Sequence, residues 1–207
     1  RPDDASVLAS LGSDGAITLW DLDAPGIIAT SLSQFGIWAA GLAVSPDGRT
    51  LAVIDCYGAV SLWDLASLTP LDDIGAGHRT TDCHAFMGIA FSHDGSLLAA
   101  GFGDGSVQVL NWRDRTVIHQ FDRGGQAIVS LGISPDDSVV GAVDEVSSVP
   151  FWTLAAGDGA TPTVLQASND IITAAAWSPD GRFLVTAAGD GFALKIWDLD
   201  LPGQFSE

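Results

Sequence analysis

Along the chain, apolar residues fall in short runs separated by clusters of Ser, Pro, Asp and Gly. Residues 41–65, GLAVSPDGRTLAVIDCYGAVSLWDL, show the unit. A short apolar run stops at Pro46-Asp47-Gly48. A second run, Leu51 to Ile54, follows, and Tyr57-Gly58 leads into an alternating third run that ends at Trp63. Pro presets φ at the first turn position, Asp bonds its own backbone, and Gly tolerates positive φ. The pattern predicts three strands joined by two hairpin turns. A further short strand is expected between units, at Ile27 to Leu32, Thr116 to Phe121 and Thr163 to Gln166.

The unit recurs. An apolar residue precedes Ser45-Pro46-Asp47-Gly48, Ser92-His93-Asp94-Gly95, Ser134-Pro135-Asp136-Asp137 and Ser178-Pro179-Asp180-Gly181, and Pro2-Asp3-Asp4 looks like a truncated first copy. A second motif lies 17 or 18 residues after each Pro position: Trp20-Asp21, Trp63-Asp64, Leu110-Asn111, Trp152-Thr153 and Trp197-Asp198. Each copy therefore holds four short antiparallel strands in about 43 residues, which is the scale of a propeller blade.

With these motifs the chain resembles the WD-repeat family of β-propellers. The matching stretches are LASLGSDGAITLWDL (8–22), FSHDGSLLAAGFGDGSVQVL (91–110) and WSPDGRFLVTAAGDGFALKIWDL (177–199), and the resemblance spans essentially the whole chain. It implies an all-β fold of four-stranded antiparallel blades, about five of them. The repeats are placed at 1–23, 24–65, 66–114, 115–155 and 156–200, with 201–207 opening a further outer strand. The chain starts after the place where a first strand should stand. DLDLPGQFSE at its end mirrors DLDAPGIIAT at 21–30, where the Pro-Gly leads into an outer strand. The expectation is an incomplete ring, part of a longer propeller of seven blades for instance.

Departures from the family pattern are visible too. Its Gly-His pair occurs once, as Gly77-His78; the corresponding sites elsewhere are Phe35, Gly124 and Ser168. The family often links that His to a Ser or Thr, a Trp and an Asp, but the repeat carrying His78 has Leu110 in the Trp position. The polar network is expected to be incomplete in every blade, with apolar packing holding the blades together. The copy at 131–155 diverges most: Val146-Ser147 replaces Asp-Gly, and Pro150 sits in the third strand, which points to an edge or irregular strand. Trp20, Trp63, Trp152 and Trp197 are read as structural, Trp177 as core, and Trp112 as covering an edge.

Composition narrows the class. Hydrophobic residues make up 47% and charged residues only 16%. Glu145 and Glu207 are the only Glu and Lys195 the only Lys, so a helical bundle with ordinary surface helices is excluded. Scarce Lys with abundant Ala, Gly and Asp hints at a GC-rich bacterial genome. The formal charge of −18 repels phosphate backbones and anionic membrane surfaces and favours a basic partner. Most Asp residues fall at turn positions, which is reason enough for the acidity. Residues 24–46 carry no charge, but Pro25, the glycines, the serines and Gln34 make two strands with a loop a better reading than a membrane span. Cys56 and Cys83 show no CxxC spacing or disulfide framework and suit a reducing compartment; a cytoplasmic location is expected.

The most site-like stretch is Gly77-His78-Arg79-Thr80-Thr81-Asp82-Cys83-His84, which carries extra residues between the His and the next apolar position. Insertions in repeats map to loops that often carry recognition. His78, Asp82, Cys83 and His84 are metal-ligand types, but their spacing matches no zinc pattern; no metal or cofactor is expected. A solvated loop without a role is the alternative. Trp38, at the start of a first strand, is the contact candidate among the tryptophans. The candidate binding residues are Trp38, Tyr57, His78, Arg79 and His84. Gly101-Phe102-Gly103-Asp104-Gly105 is glycine-rich but lacks the following helix of a phosphate loop, and no nucleophile elbow or His-Glu-x-x-His occurs. The expected function is a non-catalytic scaffold for a protein or peptide. Two alternatives remain: a sensor or regulatory segment of a larger signalling chain, and a cofactor- or metal-binding propeller enzyme. Other expected partners are the remaining blades of a longer chain, or a second copy through open ends.

Overall fold

The computed structural model describes residues 7–12, 16–21, 26–30, 39–71, 74, 87–166, 172–178, 183–188, 194–198 and 205–206. They form five antiparallel meanders, each pairing its strands in chain order. The first has three strands, β1 (Val7–Leu11), β2 (Ile17–Asp21) and β3 (Gly26–Thr30). The second holds β4 (Ala39–Val44), β5 (Thr50–Asp55), β6 (Val60–Asp64) and β7 (Thr69–Pro70). The third holds β8 (Ile89–Phe91), β9 (Leu97–Gly101), β10 (Ser106–Asn111) and β11 (Thr116–Asp122). The fourth holds β12 (Ile128–Ile133), β13 (Val139–Asp144), β14 (Ser148–Thr153) and β15 (Thr163–Gln166). The fifth holds β16 (Ile172–Trp177), β17 (Phe183–Ala188), β18 (Leu194–Asp198) and β19 (Phe205–Ser206). Each sheet takes its outermost strand from residues that begin the next sequence repeat, so sheets and repeats are offset by one strand.

The Ser-Pro-Asp-Gly motif builds the turn between the first and second strands. Ser45 Oγ donates to Asp47 (2.5 Å) and accepts from the Thr50 N–H (2.9 Å), while Gly48 takes φ 69°. The same bonds recur at Ser92, Asp94 and Leu97 and at Ser134, Asp136 and Val139. Where the motif departs from its pattern, two departures meet. His93 stands in the Pro position and so keeps an N–H, which donates to Asp137 Oδ1 at 2.6 Å; the Asp94 N–H donates to Asp137 Oδ2 at 3.1 Å. Asp137 stands in the Gly position at φ 56°. A donor that proline lacks and a carboxylate that glycine lacks thus strap the third sheet to the fourth.

Four apolar cores lie between successive sheets, one per adjacent pair. Ile17, Leu51, Val53 and Trp63 join sheets one and two. Ala52, Ile54, Ile89, Leu98 and Leu110 join two and three. Val107, Phe121, Val140 and Trp152 join three and four, and Val143, Val149, Leu184 and Trp197 join four and five. Strands such as β5 are buried on both faces. Gly88 permits the close approach of first strands: a Cβ there would stand 2.6 Å from the Leu131 nitrogen. Among the described residues no core joins sheet five to sheet one, so the sheets form an open series.

Each repeat Trp faces the preceding sheet. Trp63, Trp152 and Trp197 are accordingly buried, as expected. Trp20 is the exception at 38% exposed, because no preceding sheet stands against it among the described residues. Trp20, read as structural, thus keeps its bond to Ser10 without packing between sheets. The Trp to Ser/Thr bond is made in the first and last sheets, Trp20 Nε1 to Ser10 Oγ at 2.8 Å and Trp197 Nε1 to Thr186 Oγ1 at 3.0 Å. The equivalent positions in the other sheets are Val53, Ala100 and Ala142, which offer no side-chain acceptor.

Two further expectations change, and one is narrowed. Of the two readings of Pro150, edge or irregular strand, the second holds: it lies in β14, which runs between β13 and β15. Its missing N–H shows instead in the ladder to β13, which pairs only Thr153 to Phe151, while the ladder to β15 continues through Ser148. Trp112 does more than cover an edge: it meets Phe91 edge-on, donates Nε1 to Gly95 O at 3.0 Å and carries Arg113 over its ring at 4.3 Å. Cys56 is buried and disulfide-bonded, which overturns the absence of a disulfide. Cys83, the chain's other cysteine, lies outside the described residues, as does the side chain of Trp177.

Candidate functional site

In an antiparallel meander, the turn between strands two and three and the loop into the next sheet share one end of the sheet. At that end the described turns are Asp55–Ala59, Phe102–Ser106 and Asp144–Ser148, with the loop after β11 between the last two. An Asp fixes each turn from within. Asp55 accepts from the N–H groups of Tyr57 and Ala59, both at 2.9 Å. Asp144 accepts from those of Val146 (3.1 Å) and Ser148 (2.8 Å). In the third sheet Asp104 accepts from the Ser106 N–H (2.9 Å) and Oγ–H (2.7 Å).

The outward position of these turns is Asp14, Tyr57, Asp104, Val146 and Asp190 in the five copies. Asp14 and Asp190 lie outside the described residues. Tyr57 is 40% and Val146 52% exposed. Two apolar side chains thus project from backbone turns locked by buried carboxylates. A rigid turn presenting an aromatic ring loses little conformational entropy on binding.

Between the third sheet's turn and the Val146 turn sits the loop after β11. Its Arg123 N–H donates to Gly105 O (2.9 Å), and the Arg123 side chain reaches into the fourth sheet, where Nε stands 3.0 Å from Asp144 Oδ2. The Nε–H is not aimed along that line, so the contact is a charge pairing rather than a directed hydrogen bond. Arg123 precedes Gly124, the position where the resemblance places the family's His. An Arg therefore supplies the positive partner of the turn Asp. Gly105 must be glycine here: it takes φ 86°, and a Cβ would stand 2.9 Å from the Gln126 backbone. The Ser147 Oγ, accepting from the Ile172 N–H at 3.2 Å, ties the fourth sheet's turn to the fifth sheet.

Of the residues expected to bind a partner, Tyr57 is exposed at this end. Trp38, His78, Arg79 and His84 lie outside the described residues. Val146 and Arg123 were missed as site residues; the replacement of Asp-Gly by Val146-Ser147 was the available signal for the first. The opposite end is built differently. There the Ser45 hydroxyl holds Asp47 below the usual carboxylate pKa, and the Ser134 hydroxyl does the same for Asp136. Backbone N–H groups of Ser96 and Ser67 do so for Asp94 and Asp64. These carboxylates are committed to their own turns. Among the described residues no group of three or more His, Cys, Asp or Glu could hold a metal ion, and no helix is long and apolar enough to cross a membrane.

Successive four-stranded meanders, packed face to face through their first strands and carrying rigid turns at one end, define a repeat protein of the β-propeller type. Residues 159–198 match the WD domain, G-beta repeat family, and residues 77–135 match the Anaphase-promoting complex subunit 4 WD40 domain. Both matches are to WD-repeat families, so the chain is similar to that family over these residues. It is 26% identical over 211 residues to the Protein LST8 homolog of Drosophila melanogaster, across 97% of this chain and 64% of that protein. It is 27% identical over 150 residues to Protein groucho of Drosophila melanogaster, across 70% of this chain and 20% of that one. The chain thus spans less than two thirds of either relative.

Proposed function

We propose that the chain is a non-catalytic scaffold that binds a protein or peptide across the end formed by the Tyr57 and Val146 turns. The observation that carries this reading is the pair of exposed apolar side chains on turns fixed by buried Asp55 and Asp144. The net charge of −18 favours a basic partner. A peptide-display selection on the purified chain, followed by titration of the selected peptides, tests it. The expected outcome is enrichment of basic, aromatic-containing peptides whose affinity falls about tenfold or more with Tyr57→Ala, as for a hot-spot aromatic. Val117→Ala, on the outer strand β11, leaves affinity unchanged. Enrichment without any dependence on Tyr57 or Val146 contradicts the site.

Further blades or a second copy are the other proposed partners. Leu8 and Trp20 on the first sheet, and Leu194 and Ile196 on the last, are 38–64% exposed. They stand on the faces turned away from the neighbouring sheet, and apolar faces of that kind favour association. Sedimentation velocity of the 207-residue chain should show self-association. A monodisperse monomer opposes it.

A further inference from the structure

We propose that Arg123 anchors the main chain of the partner: its Nη groups donate to backbone carbonyl oxygens of an extended peptide that crosses the end between the third and fourth sheets' turns. The inference rests on the binding reading above and names the chemistry read at that site. The Asp144 carboxylate, whose side chain is fully enclosed, holds both parts of it. Its Oδ1 accepts from the Val146 N–H at 3.1 Å, and its Oδ2 stands 3.0 Å from Arg123 Nε. One buried group therefore sets an exposed apolar residue and a guanidinium side by side. Arg123 keeps 21% of its side chain in solvent. Of its three side-chain nitrogens only Nε is enclosed without a hydrogen bond, and among the described residues nothing hydrogen-bonds either Nη. The approach is open as well: a Cβ added at Gly124 or Gly125, next in the loop, would meet nothing within 4 Å.

Charge decides which acceptor fits. Asp144 already balances the guanidinium, and three more carboxylates border it. Asp104 fixes the third sheet's turn, Asp122 precedes Arg123 and accepts from the Gly124 N–H at 2.7 Å, and Glu145 follows Asp144. A ligand carboxylate would enter among like charges and be repelled. A peptide carbonyl brings no net charge, yet it accepts a stronger bond from an ionised donor than from a neutral one. An Arg fork already held at Nε loses little freedom on binding. In an extended peptide the side chains alternate between two faces while the carbonyls project sideways. One side chain can thus cover Val146 while a carbonyl of the same stretch meets Arg123. The acidic border draws the basic side chains of the partner. Arg123 reads main chain and sets register, and its acidic neighbours select for positive charge.

The test uses the whole chain and a basic, aromatic-containing peptide enriched on it by display, with affinities taken by calorimetry. Arg123→Gln leaves the Asp144 charge buried without its partner and can unfold the fourth sheet. Arg123→Lys keeps the charge without the fork and is the working variant. Its melting temperature should stay close to that of the native chain while affinity falls about tenfold, the loss of a hydrogen bond to a charged group. Replacing the peptide's amides one at a time by esters weakens each carbonyl as an acceptor. One such replacement should cost the native chain about fivefold or more and Arg123→Lys less than about twofold, the coupling that a direct bond gives. Unchanged affinity in Arg123→Lys, equal ester costs in both chains, or coupling of Arg123 to a peptide carboxylate instead would each overturn the proposal. Loss of affinity through Tyr57→Ala but not through Arg123→Lys would sink this inference and leave the binding reading standing. A peptide coupled to Arg123 yet indifferent to Tyr57→Ala and Val146→Ala would do the reverse, and a display that enriches nothing sinks both.

Discussion

Ala142→Ser should stabilise the protein, and the reason lies in a bond made in two sheets and missing from a third. Trp197 donates Nε1 to Thr186, and Trp20 donates Nε1 to Ser10. The register places Leu184 opposite Trp197 and Leu8 opposite Trp20, with the hydroxyl two residues further along the same strand. In the fourth sheet Val140 lies opposite Trp152, so the hydroxyl position is Ala142. Trp152 is 1% exposed, and its Nε1 has no hydrogen-bond partner. A buried donor left unpaired costs roughly 1–3 kcal/mol, while a made bond contributes about 1 kcal/mol net. Serine adds a single oxygen on the face that Ala142 shares with Trp152, so the added volume is small. The expected gain is about 0.5–1.5 kcal/mol, or roughly 2–5 °C for a chain of this size. Urea unfolding followed by circular dichroism measures it. A double-mutant cycle with Trp152→Phe, which removes the N–H, isolates the bond. In that background Ala142→Ser should destabilise, since the hydroxyl is then buried without its donor. Equal destabilisation in both backgrounds would refute the reasoning.

Other outcomes follow from the same geometry. Trp63→Ala should cost about 3–5 kcal/mol by the usual large-to-small range, whereas Trp20→Ala, with its ring partly in water, should cost much less; comparable losses in denaturant unfolding would contradict the assignment of faces. His93→Pro restores the common motif but removes the donor to Asp137, so it should cost about 1 kcal/mol in the native background and little in Asp137→Ala; equal costs would deny the strap. Hydrogen bonds from their own turns hold Asp47, Asp94 and Asp136 below the ordinary carboxylate pKa in the folded chain. Their contribution is therefore fully present above the unfolded pKa and is lost as pH falls from about 4 through the lower folded values. Thermal unfolding across pH should show stability flat from neutral to about pH 5 and a decline below about 4.

The repeat made the strands legible. Turn chemistry at Ser-Pro-Asp-Gly and at the second hairpin is local, so β4 to β6 and their counterparts fall where the motifs place them. The burial of Trp63, Trp152 and Trp197 followed from the same register. What stayed hidden depends on neighbours. Trp20 shares the local sequence of its counterparts, yet burial is set by which sheet stands against it. Pro150 read as an edge or irregular position, and the choice between them was hidden because sequence shows the missing N–H without showing that β15 continues the sheet on the other side. The His93 and Asp137 departures looked like two unrelated lapses, since the bond between them crosses from one sheet to the next.

The central claim is that recognition occurs at the Tyr57 and Val146 end of the sheets. Hydrogen exchange of the chain with and without a saturating selected peptide tests it most directly. The account predicts slower exchange confined to the turns at 55–59 and 144–148 and to the loops between them, with the turns at 45–48, 92–95 and 134–137 unchanged. Protection concentrated at those latter turns, or along β11, would contradict it.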